Sequence, residues 1–227
     1  MTRRWLPRLA ASSGLLSIVL FVLPEPRGSD PNAPDLTSSG QSIVRYAAGH
    51  PPGPVWLELV ALILLLIFAI VLYGRLRSAE PAQGAVAVAV LVGAVLDISL
   101  KIASFPAVMV LYSRGGETDP ATAYALSASN DYAFMFSLVG QSFMLAAVGV
   151  GGLLYGGIPR WLAASGGVVG VALFVNAATN LSTGNTFFVA ELLFLLWVVV
   201  ASITLMINVG AREGLPVTYA ALSSSAQ

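Results

Sequence analysis

The sequence predicts an all-α fold, a polytopic transmembrane bundle of about six helices in a single domain over residues 1–227. Of the 227 residues, 57% are apolar and only 10% are charged, whereas about a quarter of the residues of an average soluble protein are charged. Several apolar runs reach the roughly 20 residues that a helix needs to cross a hydrocarbon layer about 30 Å thick. The alternating pattern of membrane-spanning β-strands is absent, so helices are the predicted spanning elements.

The candidate spans are separated by short links that contain polar residues, glycine or proline. The apolar run of the first span, "LAASSGLLSIVLFVL", follows Arg3, Arg4 and Arg8 as in a signal peptide, but it ends in "PEPRGSD" without a small-residue cleavage site. We therefore expect it to be kept as a helix. The long segment 24–53 contains "SGQSIVRYAAG", which fits a short interfacial helix. The predicted spans are residues 6–23, 54–74, 84–112, 130–156, 161–181 and 187–208.

The arginines predict the orientation in the membrane, because basic residues are enriched in cytoplasmic loops. With six spans, seven arginines fall on one side and three on the other. Both termini are then cytoplasmic and the segment 24–53 is outside. The seven are Arg3, Arg4, Arg8, Arg75, Arg77, Arg160 and Arg212, and the three are Arg27, Arg45 and Arg114.

Glycine spacing predicts which helices pack closely. Gly152 and Gly156 are four residues apart, as are Gly166 and Gly170, and such small-residue pairs let helix backbones approach in lipid. The turn between the two pairs is short. We expect the fourth and fifth spans to form an antiparallel hairpin with all four glycines at the contact.

Asp97 and Lys101 lie near the middle of the third predicted span. Four residues of helix bring both side chains to one face, with the acid on the N-terminal side of the base. Because a charge facing lipid is costly, the pair is expected to face the interior of the bundle. Two interpretations remain open: a structural salt bridge, or a polar element of a ligand or proton path.

Other polar residues are predicted at a similar depth, in the outer half of the membrane. Glu58, Asn130 and Asp131 fall in the outer turns of their spans, where helix dipoles and access to water also explain acidic side chains. The candidate ligand-binding set combines the central charges with amides and an acid of neighbouring spans. Its members are Asp97, Lys101, Gln141, Asn176, Asn180 and Glu191.

Several kinds of chemistry have no residues to support them. The chain has no Cys and a single His, His50, so thiol catalysis, Fe–S clusters and two-histidine haem sites are excluded. The zinc-protease, serine-hydrolase and phosphate-loop motifs are missing. Eleven basic and eleven acidic residues cancel, which gives no basic surface for nucleic acid. We expect a protein that is not an enzyme and has no cofactor and no bound metal.

Short motifs along most of the chain carry a family resemblance. "IVRYAAGH", "LYGRLRSAE" and "GIPRWLAASGGVVGVALF" resemble the DUF4386-like family of small actinobacterial-type integral membrane proteins. The resemblance implies a six-helix bundle in a bacterial plasma membrane and no particular activity.

Two functions are compatible with these observations. The bundle binds or passes a small polar ligand or ion through an outward-facing polar pocket, or it is a structural protein that docks helices of another membrane protein. In both cases the lipid bilayer is a partner.

Overall fold

Seven α-helices and one short 3₁₀ helix, with the turns between them, make up the described part of the chain. The computed structural model describes residues 6–22, 33–34, 36–50, 54–81, 83–183 and 187–213, and these residues contain no strand. The predicted all-α fold is confirmed. The helices are α1 (Leu6–Val22), α2 (Gly40–Gly49), α3 (Val55–Arg77), α4 (Ala85–Arg114), α5 (Pro120–Leu154), α6 (Arg160–Thr183) and α7 (Phe187–Glu213), with the 3₁₀ helix at Gly115–Glu117.

Helices α3 to α7 are each long and apolar enough to cross a membrane. Helix α1 has 17 residues, slightly fewer than the roughly 20 residues that a helix needs to cross a bilayer. The chain is thus a helical bundle with the dimensions and composition of a multi-pass integral membrane protein.

Helix α5 begins at Pro120 rather than at the predicted residue 130. The Asp119 carboxylate accepts hydrogen bonds from the backbone N–H groups of Ala121 and Thr122, both at 3.1 Å, and Pro120 occupies the first helical position. An acidic N-cap followed by proline is a strong helix start. The apolar pattern alone missed it, because residues 120–129 are too polar to be assigned to a membrane span.

Helix α2 is the short helix expected in the segment 24–53. Its buried residues, Ile43 and Ala47, pack on Leu111 of α4 and Ala123 of α5, and Gly40 lies directly against the carbonyl of Pro120. It therefore covers the C-terminal end of α4 and the N-terminal end of α5. We call this end of the bundle the α2 end.

The six longest elements surround one core in a closed ring. The chain neighbours α3–α4, α4–α5, α5–α6 and α6–α7 pack on each other, and α1 closes the ring between α3 and α7. Trp197 of α7 donates from Nε1 to the carbonyl of Leu162 at 3.1 Å and meets the ring of Phe68 edge-on. Away from the α2 end, this core is built mainly from Leu, Val, Ala and Phe side chains.

Helices α5 and α6 form the predicted antiparallel hairpin, but only two of the four predicted glycines lie in it. A Cβ on Gly152 would lie 2.5 Å from Ala163, and one on Gly170 would lie 3.0 Å from the Ser142 carbonyl. The tightest backbone contact instead joins Gly149 and Gly167, where a Cβ on the first would lie 2.9 Å from the second.

The assignment of the other two glycines to this contact was wrong. Gly156 lies beyond the end of α5 with φ +85° and nothing within 4 Å of its Cβ position, so it serves the turn. Gly166 faces the indole of Trp197 on α7. Spacing identified a helix face rich in glycine, whereas the rotation of each helix decides which neighbour that face meets.

Candidate functional site

A close crossing of α4 and α5 positions the site. A Cβ on Gly93 would lie 2.5 Å from the backbone N of Met144, and one on Gly140 would lie 2.5 Å from the backbone N of Asp97. Only glycine at both positions lets the two backbones approach this closely. The crossing brings Asp97 and Gln141, the residue after Gly140, to the interior side of the same contact.

Asp97, Lys101 and Glu191 form a buried charge network at this crossing. Lys101 Nζ lies 3.1 Å from Asp97 Oδ1 on its own helix and 3.6 Å from Glu191 Oε1 on α7. The predicted pairing of Asp97 with Lys101 inside the bundle is therefore present. The sequence did not predict that Glu191 would share the same ammonium, so the pair is in fact a trio.

Gln141 connects the ammonium to the second carboxylate. We assign its amide with the carbonyl oxygen accepting from Lys101 Nζ at 2.7 Å and the nitrogen donating to Glu191 Oε2 at 2.9 Å. In the reverse orientation the Gln141 side chain makes one hydrogen bond, from its nitrogen to Glu191 Oε1 at 3.3 Å. The assigned orientation is preferred because the amide oxygen then faces a donor and the amide nitrogen faces an acceptor. Lys101 Nζ thus donates a hydrogen bond to the Gln141 oxygen and lies at ion-pair distance from both carboxylates.

The network is almost completely shielded from solvent. Asp97 is 1% exposed, Lys101 4%, Gln141 0% and Glu191 7%. The ammonium also lies 5.0 Å from the ring centre of Phe134 and 5.7 Å from that of Phe21, distances at which an aromatic face attracts a cation. Elements α1, α4, α5 and α7 all contribute to this enclosure.

A cavity of about 310 Å³ lies between the network and α2. Lys101 lines it on the network side, and Ile43 and Tyr46 line it on the α2 side. Its other walls mix aromatic with polar side chains of α1, α3, α4 and α5. The polar members are Glu58, Ser127, Asn130 and Asp131, and aromatic members include Phe21 and Phe105.

The predicted site residues thus separate into three groups. Asp97, Lys101, Gln141 and Glu191 meet in the network. Asn176 is buried on α6, but the described hydrogen bonds and ion pairs of the network do not include it. The side chain of Asn180 lies outside the described residues.

Three features of the site were missed from the sequence. The cavity wall includes Glu58, Asn130 and Asp131, which had been noted only for their depth and not as members of the site. Phe21 and Phe134, which face the ammonium, carried no signal, because aromatic residues are frequent in apolar spans. The crossing at Gly93 and Gly140 was missed as well, and the available signal was that Gly93 lies one helical turn before Asp97 and Gly140 directly before Gln141.

Among the described residues, no three His, Asp or Glu side chains form a group able to hold a metal ion. Fold and site together define a class of protein: an integral membrane helical bundle with a buried charge network beneath a polar cavity. No family model, no curated protein and no solved structure matches the chain. The resemblance to the DUF4386-like family accordingly stays a prediction.

Proposed function

We propose that this protein binds a small polar ligand in the cavity between α2 and the charge network. The proposal rests on the position of Lys101. Its ammonium is held in the core by Asp97, Glu191 and Gln141, and the same side chain forms part of the cavity wall. Ligand sites are typically concave, largely apolar and supplied with a few placed polar groups. The cavity has this composition, and its volume favours a ligand of only a few heavy atoms or an ion with some of its water.

Binding fits the described core better than passage does. On the side of the network away from α2, the buried polar side chains of the described residues are serines, such as Ser13, Ser142 and Ser202. The rest of that core is apolar, and an ion crossing it would lose its hydration without replacement. We propose a bacterial plasma membrane as the setting, with the α2 end outside and both termini cytoplasmic.

The alternative function, a structural or assembly protein, has one observation in its favour. Lys101 already lies beside two carboxylates and an amide oxygen inside the bundle, as expected of a network that only holds helices together. The decisive difference between the two functions is whether the cavity admits polar solutes from the aqueous side.

Cysteine accessibility distinguishes the two functions. Ser127→Cys places a thiol on the cavity wall, and Ser142→Cys places one on the same helix at the buried contact with α6. The chain has no other Cys. We expect aminoethyl methanethiosulfonate added from outside to modify the Ser127→Cys variant in the membrane at least tenfold faster than the Ser142→Cys variant. Equal, slow modification of both would mean a closed cavity and would favour the structural function.

A further inference from the structure

The charge network contains one more acid than it has bases. Asp97 and Glu191 carry two carboxylates and Lys101 one ammonium, and both acids lie within ion-pair distance of that ammonium. With all three ionised, a net negative charge would be buried inside the bundle. Moving such a charge out of water costs several kcal/mol even after relaxation.

One acceptor of the network also lacks an aligned donor. Asp97 Oδ1 lies 3.1 Å from Lys101 Nζ, but the direction of that contact does not make a hydrogen bond, and this oxygen has no other partner among the described residues. Asp97 is nearly inaccessible to bulk water. A buried acceptor in this state is costly.

We propose that the trio is a proton-binding site, in which Asp97 and Glu191 together hold one exchangeable proton. Protonation converts one carboxylate to a carboxylic acid, and the remaining carboxylate balances Lys101. The proton belongs to the coupled pair rather than to one residue. This inference is independent of the ligand that the cavity binds.

A proton fits this site better than a metal cation does. Lys101 already occupies the space between the carboxylates, and the void that touches both Lys101 and Glu191 has a volume of only about 10 Å³, about the space of one water. A dehydrated sodium or calcium ion needs several more oxygen ligands than the site offers. The void also touches Ser17 and Phe21 of α1, neither of which is charged.

Exchange with solution is expected from the cavity side, because Lys101 lines both the cavity and the small void. Among the described residues, the other titratable groups that line the cavity with Lys101 are Glu58 of α3, Asp131 of α5 and Tyr46 of α2, together with Tyr112 of α4 itself. Gln141, which does not titrate, faces the site directly from α5.

Infrared spectroscopy of the full-length protein in lipid tests the proposal by counting protonated carboxyl groups at neutral pH. The wild type should show a carboxylic acid band that shifts in D₂O. Asp97→Asn and Glu191→Gln should each remove one carboxyl equivalent of this band, because one acid then balances Lys101. Lys101→Met should add one equivalent, since neither acid retains a cation. Glu117→Gln, on the 3₁₀ helix and exposed, is the control and should leave the band of the trio unchanged.

Three results would overturn the shared site. The first is the absence of a protonated carboxyl band in the wild-type protein, a result that does not depend on whether the variants fold. A band lost in only one of the two acid variants would identify a carboxyl that is protonated regardless of its partner. An unchanged band in Lys101→Met would show that the ammonium does not set the charge balance.

Discussion

Among single residues, Lys101 is the member of the network that no other described residue can replace. Asp97 and Glu191 each provide a carboxylate to the same ammonium, so either acid still has a cation when the other is removed. Loss of Lys101 instead leaves two acids with no cation near them. The three substitutions should therefore differ in cost, although all three residues are buried to a similar degree.

We predict that Lys101→Met lowers the free energy of unfolding by about 3–5 kcal/mol, the usual cost of removing one partner from a buried ion pair. Asp97→Asn should cost less than half as much, because Glu191 still balances Lys101. Thermal or denaturant unfolding of both variants in one detergent measures the difference. Equal losses would show that Glu191 does not compensate.

The trio also changes the design of a double-mutant test. A pair of Asp97 and Lys101 alone would make their joint replacement by neutral groups nearly harmless. Here that double variant leaves Glu191 without a cation, so balanced removal requires Glu191→Gln as a third substitution. We predict that the triple variant is more stable than Lys101→Met alone, as unfolding in the same detergent can show.

The N-cap of α5 gives a prediction for pH at the aqueous end of the bundle. Hydrogen bonds from Thr122, side chain and backbone, hold the pKa of Asp119 below its ordinary value of 3.8. A lowered folded pKa means that the cap stabilises fully above the unfolded pKa and loses this effect as pH falls through the folded value. Asp119→Ala should thus lower Tm at pH 7, and the difference from wild type should shrink below pH 3.8. A difference that is constant with pH would contradict this.

At the level of helices, the α4–α5 crossing determines where the charges meet. Gly93 and Gly140 bring the two backbones together one turn from Asp97 and next to Gln141. A longer distance between α4 and α5 would move Gln141 away from Lys101 and weaken its hydrogen bond of 2.7 Å. Helix packing and the chemistry of the site are therefore coupled at this contact.

We predict opposite effects for the same substitution at two helical glycines. Gly140→Ala adds a methyl group within 3 Å of the α4 backbone and should cost about 1–3 kcal/mol, as overpacking usually does. Gly74→Ala has nothing within 4 Å and should stabilise α3 by up to about 1 kcal/mol, the helix preference of alanine over glycine. Unfolding in one detergent checks both, and a harmless Gly140→Ala would show that the crossing is loose.

Sequence patterns predicted the helices better than their contacts. Apolar runs located α3, α4, α6 and α7 and indicated α1, because burial in lipid imposes a uniform requirement on each span. The same uniformity means that the sequence does not give the rotation of each helix about its axis. A span that is apolar all round does not show which face meets a neighbour. This is why Gly166 was assigned to the wrong partner. Asp97 and Lys101 were predictable as a pair because their spacing is local, whereas the approach of Glu191 depends on the ring closing.

For the whole molecule, polarity is divided between two ends. The cavity, the charge network and α2 lie at one end, whereas the described core toward the other end is mostly apolar. Arg75, Arg77 and Arg160 lie at that other end, beside the turn in which Gly157 contacts the carbonyl of Arg75. The proposed ligand-binding function requires this arrangement, with the cavity open to water at the α2 end only.

The last prediction concerns which end of the bundle faces the cytoplasm. Because arginines are retained on the cytoplasmic side, we expect the α2 end to be outside, with the turns that carry Arg75, Arg77 and Arg160 inside. Gln41 of α2 and Ser78 after α3 are both exposed, and the chain has no native Cys. In whole cells, an impermeant maleimide should label Gln41→Cys at once and Ser78→Cys only after the membrane is permeabilised. The reverse order would show that the α2 end and the cavity face the cytoplasm. The proton of the trio would then exchange with the interior of the cell.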